Sequence, residues 1–375
     1  MPGLLPDVDP DGLLEYSVVY TDRALNHMSV RFRDVMTDVS AMLREVYRAD
    51  AAILVPGNGT CGMEAVARQF ANGADVLVVR NGFFSYRWSQ ILETTGITDA
   101  VTVLTARPAG DGEQDPWMPP AIDEVEEAIA RTRPAVVFVP HVETASGILL
   151  PDDYLARLGA ATTAVGGLFV LDCIASGAVW VDMTALGVDV LVTAPQKGWS
   201  AEPGCAMVGL SGRALAALER TRSTSFALDL KKWREIMAVY ENGGHAYHAT
   251  MPTGVIGRLR DAMAETRDRG FGEVADRQFT LGRKVRALLA ERGFPSVAAP
   301  GFEAPGVVVS YTTDPEIRSG RKFLGQGLQT AAGVPLQCGE PATFSTFRVG
   351  LFGLDKLADI EGTVARLCSA IDRIS

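Results

Sequence analysis

Two charged side chains stand just beyond apolar segments, where an α/β protein can meet a ligand. Asp172 follows the apolar run Gly167–Leu171, and Lys197 comes four residues after the run Val190–Thr193. Parallel strands end at one edge of a sheet, which is where open α/β proteins bind ligands. A partly desolvated lysine at such an edge favours its neutral amine, which can form a Schiff base. Taken singly, a helix cap explains Asp172 better, and an ordinary surface position explains Lys197 better.

The segment Gly57–Glu64 (GNGTCGME) has the composition of a phosphate-binding loop. It joins an apolar run to a helical pattern, and its glycines allow a tight turn and close approach to a ligand. The free N–H groups at the start of the helix favour a phosphate, and the Thr60 hydroxyl can add a hydrogen bond. A plain strand–helix turn explains the same pattern. A dinucleotide-binding loop fits poorly, because the spacing is not G-x-G-x-x-G and no acidic residue ends a second strand at the expected distance.

Arg348 interrupts the apolar, strand-like stretch Phe344–Gly353 (FSTFRVGLFG). A charged residue in such a stretch needs a partner. The planar guanidinium binds a carboxylate through two parallel hydrogen bonds, so a substrate carboxylate is one candidate partner. An internal ion pair with an aspartate or glutamate is the other.

The order of these parts favours an enzyme that uses pyridoxal 5'-phosphate (PLP). A phosphate loop comes first, Asp172 and Lys197 end two successive strand candidates 25 residues apart, and a lone arginine follows. PLP requires a lysine for covalent attachment, an acid that keeps its pyridine nitrogen protonated, and a cradle for its phosphate. The combination predicts that Lys197 and Asp172 act on one cofactor.

Short apolar runs alternate with amphipathic helical patterns around these residues. The runs are nearly all apolar, as expected of strands that are buried on both faces. Helices are expected over about Met28–Val46 and from Met63 to Phe70, where apolar residues have helical spacing. The alternation predicts an α/β fold with a mostly parallel central sheet wrapped by helices. The strand candidates are Ala52–Val55, Val76–Arg80, Ala135–Pro140, Leu168–Leu171, Val190–Thr193 and Ala206–Leu210.

The pattern changes after Leu210. A long, charged helical region is predicted over about Val255–Arg292, and the strand-like segments Val307–Tyr311 and Thr346–Leu351 follow. Apolar residues at intervals of three and four from Leu357 onward predict a final helix. We expect an N-terminal arm over residues 1–24, a large PLP-binding domain over 25–270 and a small C-terminal α+β domain over 271–375.

The composition narrows the possible partners and the compartment. The 375 residues include 35 lysines and arginines and 45 aspartates and glutamates, a formal net charge of −10. Such an acidic protein is poorly suited to nucleic acid or to an anionic membrane surface. The five cysteines form no CxxC pair, and the N-terminus lacks the features of a signal peptide. No segment has the ~18 consecutive apolar residues of a membrane span. We expect a cytoplasmic protein that acts on small molecules.

Seven short motifs occur in one order along about residues 25–353, namely GNGTCGMEA, NGFFSYR, PHVETASG, LDCIASGA, TAPQKGWSAEPG, GHAYHATMP and FRVGLFG. In this set and order the chain resembles the class V aminotransferases, which are PLP-dependent enzymes of fold type I. Within that family it is most similar to the alanine:glyoxylate and serine:glyoxylate aminotransferase branch. The resemblance implies the fold type I architecture with a smaller C-terminal α+β domain.

The resemblance assigns roles by position. Lys197 corresponds to the lysine that forms a Schiff base with PLP and later moves the α-proton of the substrate. Asp172 corresponds to the acid that pairs with the pyridine nitrogen, and Thr144 to a residue that contacts the 3-oxygen. Phe84 stands where the family places an aromatic ring on the cofactor, although close relatives often have tryptophan there. Arg348 corresponds to the residue that binds the substrate carboxylate.

Phosphate-binding roles also follow from the resemblance. Gly59, Thr60 and Gln196 correspond to residues that bind the cofactor phosphate within one subunit. Tyr247 and Thr250 of YHAT correspond to residues that reach the phosphate from the neighbouring subunit. The resemblance therefore implies a homodimer whose active sites are shared between subunits.

The N-terminal segment departs from the related branch. That branch commonly has a Gly-Pro-rich segment beside the active site, whereas this chain has Leu14–Ser29 (LEYSVVYTDRALNHMS). If the segment still borders the substrate, Tyr20, Arg23 or Asn26 could contact it, and Arg23 could add a second anion site. An arm at a subunit interface is the alternative.

The histidines of GHAYHATMP allow a rival interpretation as metal ligands. His245 and His248 are three residues apart, which suits one face of a helix. No cysteine or acidic cluster lies beside them in the sequence, so a metal site is disfavoured. A structural or subunit-contact role is the better explanation.

The resulting hypothesis is a PLP-dependent aminotransferase that moves an amino group from an alanine- or serine-like amino acid to a small 2-oxo acid such as glyoxylate or pyruvate. A 2-aminoethylphosphonate-type transaminase shares nearly all its motifs and differs in the donor. A lyase such as a cysteine desulfurase would use Cys338 as nucleophile. Desulfurases usually have histidines where this chain has Gln196 and Phe84, which disfavours that alternative. A cofactor-bearing protein without turnover is disfavoured further, because the sequence shows no DNA-binding appendage.

Overall fold

The computed structural model describes residues 8, 9 and 12–374. Its helices are α1 (Val30–Tyr47), α2 (Gly59–Phe70), α3 (Phe83–Thr94), α4 (Ile122–Thr132), α5 (Asp152–Ala164), α6 (Met183–Leu186), α7 (Gly212–Arg220), α8 (Leu230–Glu241), α9 (Thr253–Arg269), α10 (Phe271–Glu291), α11 (Pro315–Arg318), α12 (Arg321–Leu324), α13 (Leu354–Ala358) and α14 (Ile360–Ile374). Its strands are β1 (Ala51–Pro56), β2 (Val76–Arg80), β3 (Val101–Thr105), β4 (Arg107–Pro108), β5 (Trp117–Met118), β6 (Val136–Pro140), β7 (Val142–Glu143), β8 (Ile148–Leu149), β9 (Leu168–Asp172), β10 (Val190–Thr193), β11 (Cys205–Leu210), β12 (Val307–Tyr311), β13 (Ala331–Ala332) and β14 (Thr346–Gly350).

The central sheet, as far as the chain is described, has seven strands in the order β1-β11-β10-β9-β6-β2-β3. The strands from β10 to β3 in this order are parallel, and β11 is antiparallel to both of its neighbours. β1 therefore points in the same direction as the parallel strands. Full burial of β6, β9 and β10 explains their unbroken apolar sequences. The predicted α/β fold with a mostly parallel sheet is confirmed.

Strand β3 is missing from the set that the sequence predicts. Its sequence, VTVLT, mixes valine and leucine with threonine, and each of its residues is half-buried at the edge of the sheet. An edge strand contacts solvent on one side, so it needs no continuous apolar run. Continuous apolar runs therefore predict the central strands but do not predict β3.

The single helical region predicted over Val255–Arg292 is wrong, because it is two helices. α9 ends at Arg269 and α10 begins at Phe271. The residue between them, Gly270, has a φ of 89°, which a glycine adopts without the steric cost of a side chain. The helix is interrupted there although the charged, helix-forming composition continues on both sides.

A second sheet forms from the C-terminal part of the chain. Its three strands have the order β12-β14-β13 and are antiparallel. Together with α10 and α14 it surrounds a separate cluster of buried side chains that includes Leu281, Phe323, Phe347 and Ile371. α10 begins at residue 271, where the predicted small domain begins, and the division into domains stays a prediction.

The N-terminal segment lies against the body of the protein without regular structure. Residues 12–24 contain no helix or strand, and residues 1–7, 10 and 11 of the predicted arm lie outside the described residues. The Tyr20 hydroxyl donates to the Met251 carbonyl at 3.1 Å, and the Asn26 amide donates to the Glu15 carboxylate at 2.8 Å. Within the described residues, each helix is too short or too polar to cross a lipid bilayer.

Candidate active site

The carboxyl ends of β1, β9 and β10 bring the predicted site residues to one edge of the central sheet. Asp172 is the last residue of β9 and is paired with Val192 of the neighbouring β10. Lys197 lies in the turn after β10, and the loop from Gly57 to Gly59 follows β1. Because these three strands point in the same direction, their ends converge on one cleft.

The cleft has a volume of about 250 Å³. Arg87 and Val142, which carry no predicted role, also line it. Thr144 and Arg348 are not among the residues that line it, although Arg348 lies beside the Phe84 ring and contacts the Thr144 carbonyl. Six residues that the sequence predicts for the site line the cleft together: Gly59, Thr60, Phe84, Asp172, Gln196 and Lys197.

Asp172 is a buried carboxylate with spare hydrogen-bonding capacity. Only 8% of the residue is exposed. The carboxylate has one hydrogen bond with the described residues, which the Ile174 N–H donates to Oδ1 at 3.0 Å. Burial raises the pKa of Asp172 from 3.8 to about 6, against the effects of that N–H and of the Lys197 ammonium. A cationic N–H group in the cleft would supply the missing partner and return the pKa to the acid side.

Lys197 has its amine close to two aromatic rings. Nζ lies 5.8 Å from the ring centroid of Phe84 and 5.7 Å from that of Phe352. Burial lowers the pKa of Lys197, and the Arg348 and Arg87 guanidinium groups lower it further. The carboxylates of Asp172 and Glu143 act in the opposite direction. Lys197 is thus far from the ordinary surface lysine that its sequence position alone would suggest.

The glycine loop closes onto the segment after Asp172. α2 begins at Gly59, and the Asn58 side chain caps it by accepting the Cys61 N–H at 3.1 Å. A Cβ atom on Gly59 would lie 2.7 Å from Cδ1 of Ile174, so a larger residue would separate the loop from the Asp172 strand. The Thr60 hydroxyl, at the start of α2, points toward Arg87 and accepts a hydrogen bond from its guanidinium at 3.1 Å.

Arg87 is a cleft residue that the sequence analysis misses. Its Nη1 atom binds the Thr60 hydroxyl, and its Cζ atom lies 5.3 Å from the ring centroid of Phe84. It adds a positive charge to the N-terminus of α2, where an anion is favoured. Arg87 belongs to the motif NGFFSYR, and its place in a matched motif is the signal for it in the sequence.

Glu143 is a second residue that the sequence analysis misses. It is completely buried, and its carboxylate accepts the N–H groups of Phe84 and Ser85 at 3.3 and 2.8 Å and the Ser85 hydroxyl at 2.7 Å. It also accepts the Ala145 N–H at 2.9 Å. Glu143 therefore holds the first turn of α3, which positions the Phe84 ring over the cleft. Glu143 directly precedes Thr144 in the motif PHVETASG, and this place in a matched motif is the signal for it in the sequence.

Arg348 faces the cleft without an acidic partner. Its Nε donates to the Ala332 carbonyl at 2.8 Å, and Nη1 donates to the carbonyl of Thr144 at 3.5 Å. Its Cζ atom lies 5.5 Å from the Phe84 ring centroid. Among the described residues it forms no ion pair, so the alternative of an internal salt bridge is not supported. Burial lowers the pKa of Arg348, which the Glu143 carboxylate partly offsets.

Tyr247 and Thr250 are not among the residues that line the cleft. Tyr247 is 54% exposed, and its hydroxyl lies 3.0 Å from that of Thr250. Tyr20 and Arg23 line a different cavity, together with Met251. Within a single chain, Tyr247 and Thr250 therefore do not line the cleft at which their phosphate contacts are predicted. Tyr20 and Arg23 do not line it for their predicted substrate contacts.

The histidines of the same segment contact other parts of the chain. The part of the chain that the structure describes has no group of three or more histidine, cysteine or acidic side chains arranged to hold a metal ion. His248 contacts the Phe226 carbonyl through Nε2 at 2.9 Å, and the ring of His245 lies 6.1 Å from that of His27. These contacts are structural.

The donor set of the cleft fits PLP. Lys197 supplies an amine with a lowered pKa, and Asp172 supplies a buried carboxylate that lacks a cationic N–H partner. The N-terminus of α2 with Thr60 and Arg87 supplies donors for a phosphate. Phe84 supplies an aromatic face beside the lysine. Each chemical part of the cofactor thus has a matching group at this edge of the sheet.

Comparison with known proteins identifies relatives of the chain. Residues 13–342 match the family model described as aminotransferase class-V. The chain is 30% identical over 271 residues to the L-aspartate–glyoxylate aminotransferase of Paracoccus denitrificans, a match that covers 71% of this chain and 65% of that protein. It is 29% identical over 363 residues to the 2-aminoethylphosphonate–pyruvate transaminase of Burkholderia mallei, which covers 94% of this chain and 90% of that protein.

Solved structures show the same fold. The alanine–glyoxylate aminotransferase of a Nostoc species superposes with a TM-score of 0.79 at 23% identity, over 93% of this chain and 88% of that chain. The names of these three relatives contain three different amino donors, so similarity to them leaves the donor open.

Proposed function

The chain belongs to the class V aminotransferases, which use PLP, and we propose that it transfers an amino group from an alanine- or serine-like amino acid to a small 2-oxo acid such as glyoxylate or pyruvate. The observation that carries the proposal is the convergence of Asp172, Lys197 and the α2 N-terminus on one cleft. Small substrates are supported by the Phe84 and Phe352 rings, which lie next to the Lys197 amine.

The proposed mechanism assigns each side chain one task. Bound PLP supplies the carbonyl group and the electron sink of the reaction. The neutral amine of Lys197 would take the α-proton from the amino acid in the first half of the reaction. Lys197 would return a proton to the α-carbon of the product in the second half. The carboxylate of Asp172 would keep the ring nitrogen protonated, and Thr144 would contact the 3-oxygen. Phe84 would cover the ring.

Two further groups of residues bind anions in this proposal. Gly59, Thr60 and Gln196 hold the cofactor phosphate at the start of α2, and Arg87 adds its charge there. Arg348, which has no acidic partner among the described residues, binds the substrate carboxylate through its guanidinium. Every amino acid and 2-oxo acid substrate carries that carboxylate, so one arginine serves both halves of the reaction.

A homodimer is part of the proposal. Tyr247 and Thr250 are on the surface and away from the cleft of their own chain, which suits a role at the phosphate of a neighbouring subunit. Leu13, Tyr16 and Val18 of the N-terminal segment are highly exposed apolar residues, as expected of a surface that another subunit covers. A monomeric mass by analytical ultracentrifugation at micromolar concentration would contradict this part.

We also propose a cytoplasmic location. All five cysteines are free, which suits a reducing compartment. Cell fractionation with an antibody to the protein tests the location, and recovery in an extracytoplasmic fraction would contradict it.

Single half-reactions test the proposed function most directly. The holoenzyme is mixed with one amino donor at a time, and the absorbance of the cofactor is followed. Loss of the PLP band with alanine or serine, and its return with glyoxylate or pyruvate, is the expected result. The panel includes L-aspartate and 2-aminoethylphosphonate, because relatives with those donors are known. Absence of a half-reaction with every donor would contradict aminotransferase activity, and a response only to the phosphonate would replace the proposed donor.

Replacing Arg348 by alanine is expected to raise the KM of both the amino acid and the oxo acid by ~30- to 150-fold. The variant loses a charge-assisted hydrogen-bonded pair worth about 2–3 kcal/mol. R348K should recover part of the affinity, because lysine keeps the charge but not the planar fork. The matched control is Arg366→Ala, since Arg366 is exposed and forms a surface pair with Asp359. Steady-state kinetics with both substrates measure the effect; an unchanged KM would remove Arg348 from the proposed substrate site.

Replacing Cys338 by alanine is expected to change the transamination rate less than about twofold, a difference below 0.5 kcal/mol. Burial raises the pKa of the Cys338 thiol to about 12, and the thiol donates to the Arg80 carbonyl at 3.4 Å. A thiol in this state is a poor nucleophile near neutral pH, since the reactive species is the thiolate. The measurements are the half-reaction rate and the release of sulfide from cysteine. Cysteine-dependent sulfide release that disappears in C338A would favour the desulfurase alternative.

A further inference from the structure

Phe352 is an aromatic residue beside Lys197 that the motif comparison does not assign. It follows β14, four residues after Arg348. Its ring centroid lies 5.7 Å from Nζ of Lys197, nearly the same distance as the Phe84 centroid at 5.8 Å. The two rings come from opposite ends of the sequence and meet at one amine.

Gly306 makes room for the Phe352 ring, because a Cβ atom on it would lie 2.9 Å from Cε1 of Phe352. Gly177 also lies beside the ring, where a Cβ atom would be at the ordinary contact distance of 3.5 Å from Cδ1. The backbone beside the ring is also held, because the Leu351 N–H donates to the Gly306 carbonyl at 2.9 Å. The Gln278 amide donates to the Leu351 carbonyl at 3.3 Å. The position of the ring is therefore set by the backbone at Gly306 and by the side chain of Gln278.

We propose that Phe352 is a positioning residue for Lys197: its ring forms a second aromatic wall that keeps the amine dry and directs it into the cleft. The inference rests on the proposed function, in which Lys197 is the reacting amine. It extends that function to a residue of the C-terminal part of the chain.

Two opposing effects act on an amine beside an aromatic ring. The face of the ring attracts the ammonium form. Exclusion of water by the same ring disfavours the ammonium form. We infer that exclusion of water is the larger effect, because burial is the largest cause of the lowered pKa of Lys197 and the Phe352 ring lies beside its amine. The charged groups that face the amine are Asp172 and Glu143, which raise its pKa, and Arg87 and Arg348, which lower it.

Removal of the ring should therefore admit water and raise the pKa of the amine. All four charged neighbours remain in place when Phe352 is changed, so the shift reports the ring alone. The effect is expected to be largest for F352A and smaller for F352L, because leucine still covers part of the amine.

Trace acetylation of the cofactor-free protein tests the inference. The protein is labelled with a small amount of acetic anhydride at a series of pH values, and the label on the peptide that contains Lys197 is measured by mass spectrometry. The wild-type midpoint is expected below that of an exposed lysine such as Lys232, whose amine pairs with Glu235 at the surface. In F352A the midpoint should rise by at least about one pH unit, which corresponds to ~1.4 kcal/mol.

Control variants separate the role of Phe352 from a general loss of packing. Phe294→Leu changes a half-buried ring of the same part of the chain that packs against Phe347, so it should leave the Lys197 midpoint unchanged. Gly306→Ala keeps the Phe352 ring but pushes against it, and it should shift the midpoint in the same direction as F352A. Thermal melting confirms that each variant is folded, and if F352A does not fold, F352L and G306A decide the question.

The outcomes distinguish the inference from the function on which it rests. A folded F352A with the wild-type midpoint would overturn the role of Phe352 and leave the aminotransferase proposal intact. A wild-type Lys197 that labels like Lys232 would instead contradict the reactive amine itself. A shift in F352A that F294L also shows would overturn the positioning role, since it would reflect loosened packing.

Discussion

Replacing Lys197 by alanine is expected to slow the half-reaction with an amino acid at least ~10³-fold. The variant loses the amine that joins the cofactor covalently and the base that moves the α-proton. Lys197 is the only lysine among the described residues that line the cleft, so no neighbour can substitute for it. Rapid-mixing absorbance spectroscopy measures the rate. Borohydride treatment followed by peptide mapping tests whether the cofactor is attached at position 197.

Two companion variants make the Lys197 result specific. K197R keeps a positive charge, but its guanidinium stays protonated, so it should be as inactive as K197A. K284A removes a partly exposed amine that pairs with Glu361 on the surface and should retain the wild-type rate. Turnover by K197A within tenfold of wild type, or borohydride-stable cofactor on another peptide, would refute the assignment of Lys197.

Replacing Asp172 by asparagine is expected to lower kcat about 10²-fold. The carboxylate would no longer form a charge-assisted hydrogen bond with the protonated ring nitrogen, a loss of about 3 kcal/mol. D172E should retain more activity than D172N, because it keeps the charge. The matched control is D268N, since Asp268 is 77% exposed and lies 4.0 Å from Arg267. Wild-type activity in D172N would exclude a role of this carboxylate in the electron sink.

The cofactor-free form of D172N should show the opposite effect on stability. The pKa of Asp172 is raised to about 6 in the folded protein, above its ordinary value of 3.8. Between pH 3.8 and about pH 6 the folded state binds more protons than the unfolded state, so the free energy of unfolding falls as the pH rises. Above pH 6 the loss amounts to about 3 kcal/mol, which D172N avoids. Urea unfolding of both proteins without cofactor, at pH 5 and pH 7.5, measures the difference. If D172N gives no relative gain at pH 7.5, the raised pKa is wrong.

The sequence predicts the parts of the fold that are apolar throughout. β2 and β10 have the predicted bounds, since a strand buried on both faces is an unbroken apolar run. β3 escapes prediction because an edge strand mixes valine with threonine. The break at Gly270 is not predicted, because a glycine inside a helical pattern can either be tolerated or end the helix.

The candidate site is predicted as far as single residues at strand ends allow. Asp172 and Lys197 follow buried strands, so their meeting follows from the parallel sheet. The contacts of Glu143 with Phe84 and of Arg87 with Thr60 depend on side-chain directions in three dimensions. Phe352 reaches Lys197 through a separate sheet, and no spacing in the sequence connects them. The matched motifs contain these residues, but their contacts are identified only when the segments are placed together.

The pairing of the edge strand β1 also has a consequence for biosynthesis. Its only partner in the described sheet is β11, and the Gly57 N–H donates to the Gly204 carbonyl at 3.0 Å. A chain leaves the ribosome with its N-terminus first, so β1 and its glycine loop cannot pair with β11 until residue 210 has emerged. Proteins truncated before that point would lack an ordered anchor for the phosphate. Capture of the vitamin B6 cofactor therefore belongs to the second half of translation or to the period after release.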